Sequence, residues 1–133
     1  MASSTPILVV EDNKVNQELA VRMLKKLGKS SVVANDGLEA IEKMQSTAFE
    51  IILTDISMPN MDGLELTKEI REHLPTLYKC QPYIIAMTAN VLEADRQLCL
   101  NSGMNAYLAK PFNLADLRYA VSEAEKHFES KNQ

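Results

Sequence analysis

Cysteine is scarce in this chain: Cys80 and Cys99 are the only two, and with no secretory leader beside them they read as free thiols, not as a disulfide framework or a metal clip. No stretch approaches the roughly 18 uninterrupted apolar residues of a membrane span. Met1 to Pro6 lacks the basic segment that leads into a signal-peptide core. A basic surface is missing too, since 14 lysines and arginines face 18 aspartates and glutamates for a formal net charge of −4. That balance argues against a broad binder of nucleic-acid backbones. There is no internal repeat, low-complexity stretch or interdomain linker. The expectation is a soluble, cytoplasmic protein that touches neither nucleic acid nor membrane. What is present fits one domain over residues 1–133 with a core of about 6–128: 46% of the side chains are apolar, and a chain of this length buries roughly two-thirds of its unfolded surface.

Ile7 to Val10 and Ile51 to Thr54 are short apolar runs without polar alternation, the pattern of strands covered on both faces in a parallel sheet. Ser31 to Ala34, Tyr83 to Met87 and Ala106 to Ala109 supply three further strands. Between them apolar residues recur at three and four: Val15, Leu19, Met23, Leu24 and Leu27, then Leu38, Ile41 and Met44, then Leu66, Ile70 and Leu74, and finally Leu114, Leu117, Val121, Ala124 and Phe128. A weaker helix is predicted over Leu92 to Leu100. Gly28, Gly37, Gly63 and Gly103 fall where caps and turns belong. Strictly alternating strands and helices predict an α/β fold, a doubly wound five-stranded parallel sheet between two helical layers.

In such a sheet the functional groups gather beyond the carboxyl ends of the strands. Glu11, Asp12 and Asn13 follow the first strand, Asp55 the third, Thr88 the fourth and Lys110 the fifth. Taken singly, the acidic pair reads as a solvated loop, Thr88 and Lys110 are ordinary, and Asp55, awkward at the close of an apolar strand, is either functional or a cap for the next turn. Together they bring three carboxylates, a hydroxyl and an ammonium to one edge. Clustered carboxylates repel unless a cation neutralises them. Oxygen ligands without histidine or thiolate favour Mg²⁺. An ammonium and a hydroxyl beside that cation suit a dianionic group, so the site reads as one for phosphoryl chemistry.

With these residues in place the sequence resembles the receiver domains of two-component response regulators, from Ile7 to about Phe128, through ILVVEDN, ILTDISMPNMDG, IAMTAN and GMNAYLAKPF. ILVVEDNKVN and NSGMNAYLAKPF are most similar to receivers of hybrid histidine kinases. The resemblance implies a flavodoxin-like (βα)5 fold and phosphoryl transfer from a phosphohistidine to Asp55. It implies Mg²⁺ ligation by Asp12 and Asp55 directly, by Glu11 through water and by the backbone carbonyl of Ser57. Lys110 would pair with the phosphoryl oxygens or, before transfer, with Asp55, while Thr88 would swing towards the phosphate. The backbone N–H groups of Ile56 and Ala89 would contact the phosphoryl group, and Tyr107 would turn inward as Thr88 moves, altering the face from Val91 to Ala120. A cis bond before Pro111 is also implied. Glu11 departs from the commoner aspartate.

The first helix and its following turn carry Lys14, Arg22, Lys25, Lys26 and Lys29 against Glu18 alone. This is either a solvated face or, with Val15, Asn16, Pro111 and Phe112, a docking rim for a histidine kinase or histidine phosphotransfer protein. Two other readings stand beside the phosphoacceptor: a receiver-like docking module that is never phosphorylated, and a true enzyme on a similar sheet. Ser57 stands where an aspartyl-phosphate phosphatase has a second aspartate, and no phosphate loop for a flavin follows the first strand. The chain reads as a signalling module and not a turnover enzyme, either a stand-alone shuttle or a segment of a hybrid kinase.

Overall fold

A computed structural model describes residues 5–56, 61–89, 97 and 99–131. Five strands, β1 (Ile7–Val10), β2 (Ser31–Ala34), β3 (Ile51–Asp55), β4 (Tyr83–Thr88) and β5 (Ala106–Ala109), form one parallel sheet in the order β2-β1-β3-β4-β5. Helices α1 (Lys14–Lys26), α2 (Gly37–Met44) and α3 (Gly63–Glu72) and a C-terminal helix (Leu114–Lys131) connect and cover it. The doubly wound architecture expected from the sequence is therefore present. β3 and β4 each run one residue further than predicted, so Asp55 and Thr88 end strands instead of following them. The helix predicted over Leu92 to Leu100 lies mostly outside the described residues, with Gln97, Cys99 and Leu100 helical.

Successive residues of a strand face opposite sides of the sheet, so an unbroken apolar run feeds two cores. Ile7 and Val9 join Ile51, Leu53, Ile85 and Met87 under α1 and the C-terminal helix. Leu8 and Val10 join Ile52, Ile84 and Ala86 under α2 and α3. Each Val, Leu, Ile or Met among them, wholly buried, favours the folded state by about 1.5–3 kcal/mol over leaving it in water.

The helices start where side chains accept their first free N–H groups. Asn13 accepts from Asn16 at 3.1 Å and Asp36 from Glu39 at 2.9 Å. Asp62 and Glu65 form a reciprocal capping box, and Asn113 and Asp116 bond each other's backbone N–H in the same way. α1 ends in paired bonds from Gly28 N–H to Lys25 O and from Lys29 N–H to Leu24 O, with Gly28 at φ +79°. Lys29 also forms an ion pair with Glu125, tying this turn to the C-terminal helix.

The apolar spacing of α1 misplaces its first turns. The buried stripe runs through Gln17, Ala20 and Leu24, leaving Val15 72% and Leu19 45% exposed. Leu38 is likewise exposed while Gly37, Ala40 and Met44 face inward. In both helices a small residue meets the sheet and the larger neighbour is displaced outward.

Gly63 sits where α3 meets the end of β3. Its N–H donates to Ile56 O at 2.9 Å, and a β-carbon there would lie 2.4 Å from the carbonyl oxygen of Asp55. Gly28 has open space and only a backbone preference to lose. Gly63→Ala is therefore expected to cost about 3 kcal/mol of unfolding free energy and Gly28→Ala about 1 kcal/mol, in that order of severity by urea denaturation.

Candidate functional site

The carboxyl edge of the sheet assembles the site because parallel strands all end there. β1 delivers Glu11 and Asp12, β3 delivers Asp55, β4 delivers Thr88, and the residue after β5 is Lys110. Carboxylate oxygens of Glu11, Asp12 and Asp55 lie within 4.8 Å of one another, with Glu11 and Asp55 buried and Asp12 exposed. All the donors are hard oxygens, which suits a small divalent cation.

Lys110 answers this charge. Its Nζ lies 2.8 Å from Glu11 Oε1 and 3.2 Å from Asp55 Oδ2. Burial pulls the pKa of the ammonium down, but its bond to Glu11 and the charge of Asp55 outweigh that, leaving it above the ordinary lysine value. The pairing with Asp55 was expected; the closer one with Glu11 was not. Glu11 is only 1% exposed, and its extra methylene compared with aspartate extends the reach of its carboxylate. The Lys110–Pro111 bond is cis, as the resemblance implies.

The backbone around the site is held by the sheet. Glu11 N–H donates to Ala34 O at 3.0 Å and Lys110 N–H to Thr88 O at 2.8 Å. Ile56 N–H donates to Met87 O at 3.2 Å. This corrects one expectation: the Ile56 N–H is spent in the ladder between β3 and β4 and does not stand open to an incoming phosphoryl group. Ala89 is exposed at the site, lining a cavity of about 240 Å³ with Glu11, Asn16, Lys110, Pro111 and Phe112. Ser57, whose carbonyl was expected to bind metal, lies outside the described residues, as does Val91.

Thr88 is buried at the end of β4. In register, Thr88 pairs with Ala109 and Ala86 with Tyr107. Side chains two apart share a face, so Thr88 and Tyr107 lie on one side of the sheet, and half-buried Tyr107 packs against the core under α2 and α3. The proposed rim is partly assembled: Val15, Asn16 and Pro111 are exposed, while Phe112 is half-buried against the core under α1. Lys29 leaves the basic run for Glu125. Sequence reasoning missed Gln17, a polar residue on the buried stripe of α1 whose spacing to Ala20 and Leu24 was the available signal.

A family model described as response regulator receiver domain matches residues 7–122. Hybrid signal transduction histidine kinase K of Dictyostelium discoideum is 35% identical over 130 residues, covering 91% of this chain and 10% of that protein. Sensor histidine kinase RcsC of Escherichia coli K12 is 42% identical over 116 residues, covering 87% and 12%. The chain thus spans about a tenth of the length of these curated relatives. Among solved structures, the receiver domain of sensor histidine kinase PA1611 from Pseudomonas aeruginosa, with magnesium coordinated in its active-site cleft, is 39% identical at TM-score 0.82, covering 93% of this chain and 99% of that one. The receiver domain of Ssk1 from Saccharomyces cerevisiae, crystallised with the histidine phosphotransfer protein Ypd1, is 30% identical at TM-score 0.85, covering 94% and 91%. No helix among the described residues is long and apolar enough to cross a membrane.

Removing one partner of a buried ion pair leaves the other charge uncompensated. Without divalent cations, Lys110→Met is expected to lower stability by about 3 kcal/mol. Glu11→Gln added to that variant is expected to restore most of the loss, measured by denaturant unfolding at neutral pH.

Proposed function

This chain belongs to the response regulator receiver domain family, and from that premise we propose that Asp55 accepts a phosphoryl group from a phosphohistidine. The observation that carries the reading is the convergence of Glu11, Asp12 and Asp55 within 4.8 Å beside the ammonium of Lys110. A carboxylate oxygen of Asp55 attacks phosphorus, an O–P bond forms, and the P–N bond to the imidazole breaks. The departing nitrogen keeps the electron pair and takes up a proton. The product is an acyl phosphate.

The all-oxygen acidic cluster fits Mg²⁺, which when bound neutralises charge on the attacking carboxylate and on the transferring group. Asp12 and Asp55 would hold it directly. Glu11, whose Oε1 accepts from Lys110, would contribute through water. Lys110 exchanges Asp55 Oδ2 for a phosphoryl oxygen, and Thr88 donates its hydroxyl to the same group, with the Ala89 N–H beside it. Because Thr88 and Tyr107 share a face, movement of one alters the space open to the other, and the phosphoryl group shifts the population of the two arrangements.

The donor is a histidine kinase or a histidine phosphotransfer protein. It docks on exposed Val15, Asn16 and Pro111 and half-buried Phe112, the last three of which line the cavity shared with Glu11 and Lys110. The chain acts as one unit over residues 1–133, as a signalling module with no turnover of an external substrate. The same chemistry serves a stand-alone shuttle and the receiver segment of a hybrid kinase.

Incubation with a small acyl-phosphate donor and Mg²⁺ is expected to add one hydroxylamine-labile phosphoryl group, seen by intact mass. Asp55→Asn and excess chelator are each expected to abolish it. Labelling that survives Asp55→Asn refutes the assignment, and a parent protein that stays unlabelled supports the docking-module reading instead.

Mg²⁺ binding to the native state is also expected to raise stability. At tenfold excess over Kd the gain is about 1.4 kcal/mol, a melting shift of several degrees. Asp12→Ala is expected to lose most of that shift in a thermal melt.

A further inference from the structure

Gln17 is 6% exposed, on the stripe of α1 that faces the sheet. Its Nε2 donates to the backbone carbonyl of Glu11 at 2.5 Å and to Asn35 Oδ1 at 2.7 Å. Asn35 in turn donates through Nδ2 to Glu39 Oε2 at 3.0 Å, in the first turn of α2. One amide group therefore joins the end of β1, the residue after β2 and, through Asn35, the start of α2. Burying a carboxamide where an apolar residue would fit is costly unless its hydrogen bonds do something an alkyl chain cannot.

The bond that stands out is the one to Glu11 O. This carbonyl belongs to the peptide between Glu11 and Asp12, the two acidic residues contributed by β1. A peptide unit is planar, so fixing its oxygen fixes the nitrogen and α-carbon of Asp12 as well. The Glu11 N–H is already tied to Ala34 O at 3.0 Å. With both sides of Glu11 held, the exposed carboxylate of Asp12 is left with rotation about its own N–Cα bond and its side-chain torsions.

We propose that Gln17 is a positioning residue for the cation site: it orients the Glu11–Asp12 peptide so that Asp12 faces Asp55 before the cation arrives. The inference rests on the reading of Glu11, Asp12 and Asp55 as a Mg²⁺ site. Asn35 serves the same end at one remove, by holding the carboxamide of Gln17 against β1. Groups that orient metal ligands commonly change affinity by tenfold or more when removed, and their effect falls on binding of the ion more than on chemistry once the ion is bound.

The test compares parent, Gln17→Met and Asn35→Ala, with Ile70→Val as a control that weakens a core remote from the carboxyl edge. Methionine keeps the length of Gln17 and removes its donor. Asn35 is exposed, so its variant reports even if Gln17→Met fails to fold. Mg²⁺ Kd is measured by calorimetric titration with MgCl2 alone, and phosphorylation rate from an acyl-phosphate donor is measured against Mg²⁺ concentration.

The expected result is a Kd raised about tenfold in Gln17→Met and by a smaller factor in Asn35→Ala. The phosphorylation rate at saturating Mg²⁺ stays within about twofold of the parent in both, and Ile70→Val leaves Kd unchanged. A parent-like Kd in the folded Gln17→Met protein, or in Asn35→Ala if Gln17→Met does not fold, overturns the proposal while leaving the cation site standing. So does a Kd that rises equally in Ile70→Val. A parent that binds no Mg²⁺ overturns the cation site itself, and this inference with it.

Discussion

Mutual repulsion among Glu11, Asp12 and Asp55 is the constraint around which the rest of the molecule is arranged. Two unit charges about 4–5 Å apart in a protein environment of effective dielectric about 20 repel by roughly 4 kcal/mol. The sheet holds such a cluster in place. Glu11 and Asp55 are extensions of two adjacent strands whose apolar residues are locked in two cores, so relaxing the site would mean sliding β1 or β3 out of register. Core packing thus stores a local electrostatic cost, and Lys110 offsets part of it.

The two faces of the sheet contribute differently to that arrangement. α1 lies on one face and supplies Gln17 to the peptide linking the acidic residues. α3 lies on the other and approaches through Gly63, so closely that a methyl group would strike the Asp55 carbonyl. Asp55 is therefore gripped from behind by backbone, whereas the acidic pair after β1 is steered by a side chain. Backbone contact gives rigidity; a side-chain contact can be weakened by degrees.

Most of the fold was legible because parallel strands covered on both faces are written as unbroken apolar runs, and the site because groups at four strand ends must converge. β3 and β4 were each read one residue short because Asp55 and Thr88 are polar, and polarity at a strand end looks like a loop until the register is seen. Val15 was read as core because spacing alone cannot say which of two overlapping stripes meets the sheet; Ala20, small enough for close approach, decides it for the stripe that includes Gln17. The Ile56 N–H was misjudged because whether a strand-end amide is free depends on the length of its neighbour, and Met87 O reaches it. None of these is a property of the residue itself.

Glu11 sharpens what Lys110 can do. An ammonium shared between buried Glu11 at 2.8 Å and Asp55 at 3.2 Å has two places to rest. When a cation occupies the acidic cluster it competes with Lys110 for Asp55. A lysine with no second partner would then be left as a partly desolvated charge, at a cost of its own. Here Glu11 holds it within reach of Asp55. If Asp55 accepts a phosphoryl group as proposed, the buried glutamate would keep the ammonium available between loss of Asp55 and arrival of the phosphoryl oxygens.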